Sequence, residues 1–202
     1  MARPASQIAD GLARQVAGLS RYISRVELEV RRGGLTKGDV HRAYAGAFVY
    51  FYLHLEGTIE GLFMGFLMNR LSLSRGRVRP LVVIRSEAVA RNVVRGDRPF
   101  VDWLPYKRTL DRATGLLSQG GPFTGLTPAQ VQILERDRVI RNAIAHAEGH
   151  AMRQFQKVCV TGLALPPDQR RPPGFLRGQH SVGQTRFDYQ IAQSVAVIRQ
   201  LV

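Results

Sequence analysis

The sequence predicts an all-α protein, an up-and-down bundle of four to five helices. Apolar residues recur at three- and four-residue steps over long stretches, and clusters of glycine and proline separate these stretches. The apolar content of 45% suffices for a core, and 202 residues fit one domain with appendages. We divide the chain into a helical bundle over residues 1–160, a basic arm rich in proline, glycine and arginine over 161–185, and a C-terminal helix over 186–202. We expect the arm to be exposed and poorly ordered.

The first two predicted helices cover residues 6–32 and 40–70. Apolar residues repeat with helical spacing through the first, and the sequence RRGGLTKGD (31–39) then predicts a turn. The second is apolar nearly all round, which is typical of a helix at the centre of a bundle. A membrane span is the rival interpretation, but Glu56 and Glu60 fall in mid-segment. Because each carboxylate in mid-bilayer costs about 2.5–3.5 kcal/mol, we favour the buried helix.

Glycines recur every four residues in the second helix, at Gly57, Gly61 and Gly65, with Gly46 on the same stripe. Such a stripe predicts a shallow groove where another helix can approach closely. We expect a homodimer in which this groove contributes to the interface.

The segment 71–106 shows little periodicity. PLVVIRS (80–86) fits either a short strand or a buried helical turn, because periodicity cannot separate the two at this length. SLSRGRVRP gathers three arginines, which are either ordinary solvated surface or part of an RNA-binding site: Arg75, Arg77 and Arg79. A short helix around 107–118 follows.

A marked helix start begins the segment 128–155, which we interpret as one helix. Thr127 is a good N-cap, Pro128 suits the first helical position, and Gln130 completes a capping box. A helical wheel places one set of apolar residues on the core face: Ile133, Ile140, Ile144, Ala151 and Phe155. It places polar residues on nearly the opposite face: Glu135, Arg138, Asn142, His146 and His150.

This polar face carries side chains suited to RNA cleavage without a metal. Such cleavage needs a base for the 2′-OH, an acid for the leaving oxygen and a cation for the phosphorane. His146 can act as base or acid because histidine titrates near neutrality, and Arg141 can bind phosphate in a bidentate manner. Asn142 lies one helical turn before His146. A two-fold pair of chains would supply the second histidine.

Arg141-Asn142-x-x-x-His146 resembles the R-N-x-x-x-H signature of the HEPN superfamily (higher eukaryotes and prokaryotes nucleotide-binding domains). LHLEGTIEG supplies Glu56-Gly57 where family members carry an acidic pair on a long second helix. The resemblance covers about residues 6–158. It implies a HEPN-like bundle and a dimeric, metal-independent endoribonuclease of toxin–antitoxin or anti-phage systems.

The resemblance also implies a role for each matching residue. Arg141 and His146 would carry catalysis, Asn142 would orient the substrate or His146, and Glu56 would position Arg141 or His146. The products would be a 2′,3′-cyclic phosphate and a 5′-OH. Members paired with nucleotidyltransferase antitoxins have a tyrosine two residues after the histidine, where this chain has Glu148. We therefore do not expect regulation through a modified tyrosine.

The charge balance predicts a polyanionic partner. Lys and Arg number 29 against 15 Asp and Glu, a net charge of +14, which attracts RNA electrostatically. The predicted RNA-binding residues are Arg138, Arg75, Arg77, Arg79, Arg170 and Arg171. An antitoxin or regulatory protein is a further expected partner. Polar residues interrupt the N-terminal stretch, and the single Cys159 suits a reducing compartment, so we expect a cytoplasmic protein without membrane contact.

Three alternatives stay open. The main one is a catalytically silent HEPN module that binds nucleic acid or a partner protein. A basic DNA-binding protein is less favoured, since we find no short helix-turn-helix with an exposed reading helix. His146 and His150 have zinc-ligand spacing, but the metalloprotease order places Glu directly after the first His. We expect neither a metal nor a cofactor.

Overall fold

A computed structural model describes residues 2–74 and 76–202, and it confirms the all-α class. The described residues form eight α-helices: α1 (Ser6–Arg31), α2 (Lys37–Leu67), α3 (Glu87–Arg95), α4 (Tyr106–Leu116), α5 (Pro128–Ala145), α6 (Gly149–Phe155), α7 (Pro172–Arg177) and α8 (Arg186–Arg199). This is more than the four to five predicted, because α3, α6 and α7 are short helices in segments that we had not assigned as separate elements.

Two pairs of short strands accompany the helices. β1 (Arg3–Pro4) pairs in parallel with β2 (Leu71–Ser72), and β3 (Gln179–Ser181) pairs antiparallel with β4 (Gln184–Thr185). Short 3₁₀ stretches cover Ser118–Gly125 and Pro167–Arg170, and a π-helical turn covers Gln156–Val160. Within the described part of the chain, none of the helices has the length and apolar character needed to cross a bilayer.

The predicted start of α5 is confirmed by its capping hydrogen bonds. The backbone N–H of Thr127 donates to Gln130 Oε1 at 2.8 Å, and the N–H of Gln130 donates to Thr127 Oγ1 at 3.3 Å. This reciprocal pair satisfies N–H groups that the helix itself leaves without acceptors.

The prediction of one helix over 128–155 is wrong. α5 ends at Ala145 and α6 begins at Gly149, so His146 lies just beyond the end of α5. Glu148 is extended (φ −136°, ψ 171°), and Gly149 takes a left-handed φ of +67°, which glycine adopts at little cost. The glycine therefore permits a turn that the hydrophobic periodicity did not reveal.

Both interpretations of the segment 80–86 are wrong, because it is neither a strand nor a helical turn. Backbone hydrogen bonds hold its start, where the N–H of Leu81 donates to the carbonyl of Leu116 at 2.9 Å. The apolar side chains that follow lie largely in solvent, and Val83 is 83% exposed.

The chain forms two compact units that interleave in sequence. Unit 1 consists of Met1–Ala13, Leu55–Glu135 and Val195–Val202, and unit 2 consists of Arg14–His54 and Arg136–Ser194. The predicted domain boundaries at residues 160 and 185 stay a prediction.

Aromatic packing and a bonded carboxylate form the core of unit 1. The Phe63 ring lies 5.1 Å from Trp103 and 5.4 Å from Phe123, between ring centroids. Glu60 accepts a hydrogen bond from Trp103 Nε1 at 3.2 Å and forms an ion pair with Arg91. The carboxylate that argued against a membrane span is thus a hydrogen-bonded and ion-paired group beside the aromatic core of unit 1.

The glycine stripe of α2 is filled in part by the chain itself. A Cβ on Gly65 would lie 2.4 Å from the Leu71 side chain, and one on Gly61 would lie 3.8 Å from Ile8. Around Gly57 no atom lies within 4 Å of such a Cβ. Side chains of the same chain therefore already contact the stripe at Gly61 and Gly65, and the homodimer stays a prediction.

Unit 2 buries aromatic residues from several elements. The Phe187 ring of α8 packs edge-on against Tyr44 of α2 at 5.7 Å, and Phe155 packs edge-on against Phe175 of α7 at 5.5 Å. Arg177 donates two hydrogen bonds to Glu27, at 2.8 and 3.0 Å.

The prediction that residues 161–185 form an exposed arm is wrong. α7 buries Phe175 and Leu176, and Leu165 is also buried. The predicted arm was inferred from proline and arginine content, which did not reveal that its few apolar side chains complete the unit 2 core.

Asp137 of α5 is a fully buried carboxyl group in unit 2. Gln190 Nε2 donates to one of its oxygens at 2.8 Å, and Ser194 Oγ lies 2.5 Å from the other. Burial raises the pKa of Asp137 to about 7, although both hydrogen bonds act in the opposite direction. When the carboxyl is protonated it can donate to Ser194 Oγ, and that hydroxyl can donate to the Gln190 carbonyl 3.1 Å away. The carboxyl group and the hydroxyl group then each donate to an acceptor.

We expect the stability of the protein to fall as the pH rises toward 7. The pKa of Asp137 in the folded protein is raised above its value in the unfolded chain. Its contribution to the free energy of unfolding is therefore fully present below about pH 4 and is lost as the pH rises through about 7. Asp137→Asn mimics the neutral form and should remove this dependence. Urea unfolding at several pH values between 4 and 8 measures the effect. An Asn variant that is less stable than the wild type by the same amount at every pH would contradict it.

Candidate functional site

A cleft of about 710 Å³ in unit 2 brings together three of the predicted site residues. We name it the α5–α6 cleft. Its lining consists of Arg138, Val139, Asn142, His146, Glu148, His150, Ala151 and Gln154. Arg138, Asn142 and His146 were predicted to share one face, and the structure places all three in this lining.

The end of α5 and the turn before α6 create this lining. Arg138 and Asn142 lie one helical turn apart and therefore on the same face of α5. The backbone N–H of His146 donates to the Asn142 carbonyl at 2.8 Å, which holds the first residue after the helix near that face. Gly149 then turns the chain, so His150 and Gln154 of α6 line the same cleft.

Arg141 is outside the lining of the α5–α6 cleft. Its guanidinium carbon lies 5.5 Å from the centre of the Tyr52 ring, and its Nη1 donates to Asn142 Oδ1 at 3.0 Å. A cation over an aromatic ring gains about 0.5–2 kcal/mol, depending on how far it is desolvated. Arg141 is thus linked to the cleft through Asn142, and it must leave Tyr52 before it can contact a phosphate there.

The remaining predicted site residues are not among the lining residues of the α5–α6 cleft. Glu56 is a half-buried residue of α2 in unit 1, and its proposed role toward Arg141 or His146 stays a prediction. Arg170 Nε donates to the Leu165 carbonyl at 3.0 Å, so this arginine holds its own loop.

Of the arginines predicted to bind RNA, Arg171 is exposed and lines a different cleft of unit 2. Arg75 lies outside the residues that the structure describes.

Unit 1 has two adjoining clefts lined by arginines, which we name the arginine clefts. One is about 660 Å³ and includes Arg3, Arg70 and Arg77, and the other is about 620 Å³ and includes Arg77 and Arg79. Both also include Asn69 and Val78. Among the described residues, neither lining contains an aspartate or a glutamate. A pair of clefts with this composition attracts anions.

Backbone pairing of β1 with β2 explains why Arg3 lies beside Arg70. The N–H of Arg3 donates to the carbonyl of Arg70 at 2.9 Å, although 67 positions separate the two residues in the chain. Arg70 also forms an ion pair with Glu87 at 2.7 Å, so part of its charge is neutralised. Arg3 and Arg70 were not predicted as site residues, because no local sequence pattern predicts this pairing.

Glu148, His150 and Gln154 were not proposed as site residues, although they line the α5–α6 cleft. The helical wheel had already placed His150 on the face of His146. For Glu148 the available signal was Gly149, because a glycine after a polar stretch is a common helix terminator. Among residues 2–74 and 76–202 there is no group of three His, Cys, Asp or Glu side chains that could hold a metal ion.

Comparisons of the chain with family models, with curated proteins and with solved structures found no match. The resemblance to the HEPN superfamily therefore rests on Arg141, Asn142, His146 and the Glu56-Gly57 pair alone.

We expect the arginine clefts to bind the phosphates of RNA. Replacing Arg77 and Arg79 together by Gln should weaken binding of a single-stranded RNA. It should also reduce the slope of log affinity against log salt by about 1.4, since each lost phosphate contact removes about 0.7. Fluorescence anisotropy at several salt concentrations measures both quantities.

The matched control replaces two exposed arginines of α1, Arg14 and Arg21, by Gln. This control removes the same number of positive charges, but at positions outside the lining of the arginine clefts. Equal losses in the two double variants would mean that only net charge matters, and would contradict a specific role for the clefts.

Proposed function

We propose that the protein is a metal-independent endoribonuclease of HEPN type whose reactive groups lie in the α5–α6 cleft. The observation that carries this proposal is the shared lining of Arg138, Asn142 and His146, because it brings a titratable base, an orienting amide and a cation to one cavity. The high positive charge supports RNA as the substrate.

The proposed reaction is a transesterification within RNA. One histidine takes the proton of the 2′-OH, and the 2′-oxygen then forms a bond to the adjacent phosphorus. The bond from phosphorus to the 5′-oxygen breaks, and a second acid protonates that oxygen. The products are a 2′,3′-cyclic phosphate and a 5′-OH. His146 fills one of these roles, and Arg138 lies where it can stabilise the charge of the phosphorane.

His150 is the natural candidate for the second proton transfer. It lines the same cleft as His146, so one chain carries two imidazoles there. Glu148, in the same lining, can accept a hydrogen bond from either ring and fix its orientation. Arg141 acts as a positioning residue through its hydrogen bond to Asn142, or as a phosphate ligand once it leaves Tyr52.

We further propose that the enzyme works as a two-fold homodimer and belongs to a toxin–antitoxin or anti-phage system, with an antitoxin or regulatory protein as its partner. The resemblance to the HEPN signature supports this part of the proposal. The exposed stretch at Gly57 of α2 is still open to a second copy.

A second candidate function is a silent module that binds RNA without cleaving it. The position of Arg141 favours this candidate, since its guanidinium contacts Tyr52 and Asn142 rather than the open cleft. The arginine clefts would then account for binding, and the α5–α6 cleft would have no reaction to perform.

We expect His146→Ala to reduce RNA cleavage by about 10²–10⁴-fold, the range for loss of a general acid–base group. Arg141→Ala should cause a comparable loss, and Asn142→Ala a smaller one, because water can partly replace an orienting amide. Cleavage should persist in EDTA and yield cyclic phosphate ends. Gel assays with end-group analysis measure these outcomes.

The control is His180→Ala, which removes an exposed histidine outside the α5–α6 cleft and should leave cleavage unchanged. Circular dichroism checks that each variant is folded. Wild-type cleavage by folded His146→Ala would exclude His146 as the acid or base. A wild type that binds RNA but never cuts it, whatever the RNA, would favour the silent module.

We expect a dimer at micromolar concentration, with the 135–150 stretches of the two chains facing each other. Light scattering measures the mass in solution. A monomer that cleaves RNA at full rate would contradict the dimeric site and would leave His146 and His150 of one chain as the reacting pair.

A further inference from the structure

We propose that unit 2 contains a second ligand site that binds a small amphiphilic anion, a phosphate or carboxylate head on an apolar body. The site is a cleft of about 720 Å³ where the start of α2 meets α5, α6 and the segment 167–173. We name it the α2–α5 cleft. This inference is independent of the proposed RNA cleavage.

Three basic side chains are among the lining residues of the α2–α5 cleft: Lys37, His41 and Arg171. The single acid in the lining, Asp168, forms an ion pair with Lys37 at 2.9 Å. The lining therefore has a net positive charge even when His41 is neutral. The first turn of α2 adds the positive end of a 31-residue helix to the same region.

The rest of the lining is apolar. Ala45 of α2, Ala143 and Ile144 of α5, Met152 of α6 and Pro172 of α7 provide a surface without a hydrogen-bonding side chain. A simple inorganic anion would leave this surface in contact with water, and a neutral apolar molecule would leave the net positive charge of the lining without a counter-charge. A ligand with an anionic head and an apolar body satisfies both parts of the cleft.

The two clefts of unit 2 use different residues of α5. Ala143 and Ile144 line the α2–α5 cleft, whereas Val139 and Asn142 line the α5–α6 cleft. Ala147, between α5 and α6, also lines the α2–α5 cleft. A bound ligand would therefore contact α5, α6 and the connection between them together. It would restrict movement of that connection.

Isothermal titration with octyl phosphate, below the concentration at which it forms micelles, tests the site on the full-length protein. We expect saturable binding. Octanol, which lacks the anionic head, and inorganic phosphate, which lacks the apolar body, should both bind much more weakly. Octanoate in a parallel titration decides whether the cleft prefers a phosphate or a carboxylate head.

Lys37→Gln combined with Arg171→Gln should weaken octyl phosphate binding about tenfold, since two partly exposed charge contacts together contribute about 1.4 kcal/mol. Ala45→Phe should also weaken binding, because the larger side chain fills the apolar part. The control is Arg21→Gln, an exposed position of α1 outside the lining, which should bind as the wild type does.

Hydrogen exchange locates the bound ligand. Octyl phosphate should slow exchange at the backbone amides of residues 145–149 in the wild type, but not in the Lys37/Arg171 variant. Absence of saturable binding overturns the proposal, as does equal binding by the wild type and the Lys37/Arg171 variant. If Ala45→Phe does not fold, the Lys37/Arg171 variant still decides the outcome, because both of its side chains are solvent-accessible.

Discussion

The hydrogen bonds of Asp137 with Gln190 and Ser194 constrain the part of α5 on which the unit 2 clefts depend. A carboxyl group without solvent exposure is costly unless both of its oxygens are bonded, so α5 has one favourable rotation about its axis. In this rotation Asp137 is directed toward α8. Arg138 and Asn142, which lie one helical turn apart, then line the α5–α6 cleft, and Ala143 lines the α2–α5 cleft. A buried polar contact thus determines which side chains of α5 line each cleft.

The interruption between α5 and α6 then determines which further residues line the α5–α6 cleft with Arg138 and Asn142. In an unbroken helix Glu148 would lie about 200° around the axis from His146, on the far side. Because Glu148 is extended and Gly149 has a left-handed φ, the carboxylate and both histidines line one cleft. The cost of interrupting the helix, a few backbone hydrogen bonds, is small for residues that are solvent-exposed and can bond to water.

Local patterns in the sequence predicted the long helices but not the contacts between distant residues. The spacing of apolar residues placed α1 and α2 within a few residues, and the capping residues placed the start of α5. The burial of Asp137 depends on partners 53 and 57 residues away, and the burial of Phe175 depends on Phe155. Composition gave the wrong result for residues 161–185, because a few apolar side chains outweigh many prolines and arginines once they find a core. For the candidate site, the helical wheel predicted that Arg138, Asn142 and His146 share one face, and all three line the cleft. Arg141 instead lies over the ring of Tyr52, a contact that the wheel could not predict.

The arginine clefts and the α5–α6 cleft differ in the ionisable side chains that line them. The described lining of the arginine clefts contains arginine and no acid, so it favours any polyanion and has no group that exchanges protons near neutral pH. The α5–α6 cleft carries one arginine, one glutamate and two histidines, a nearly balanced set that would hold a phosphate weakly but can move protons to and from it. Tight ground-state binding would not by itself accelerate a chemical step, since only contacts that strengthen in the transition state do so. The lining of the arginine clefts thus suits binding of a polyanion, whereas the groups at the end of α5 suit proton transfer.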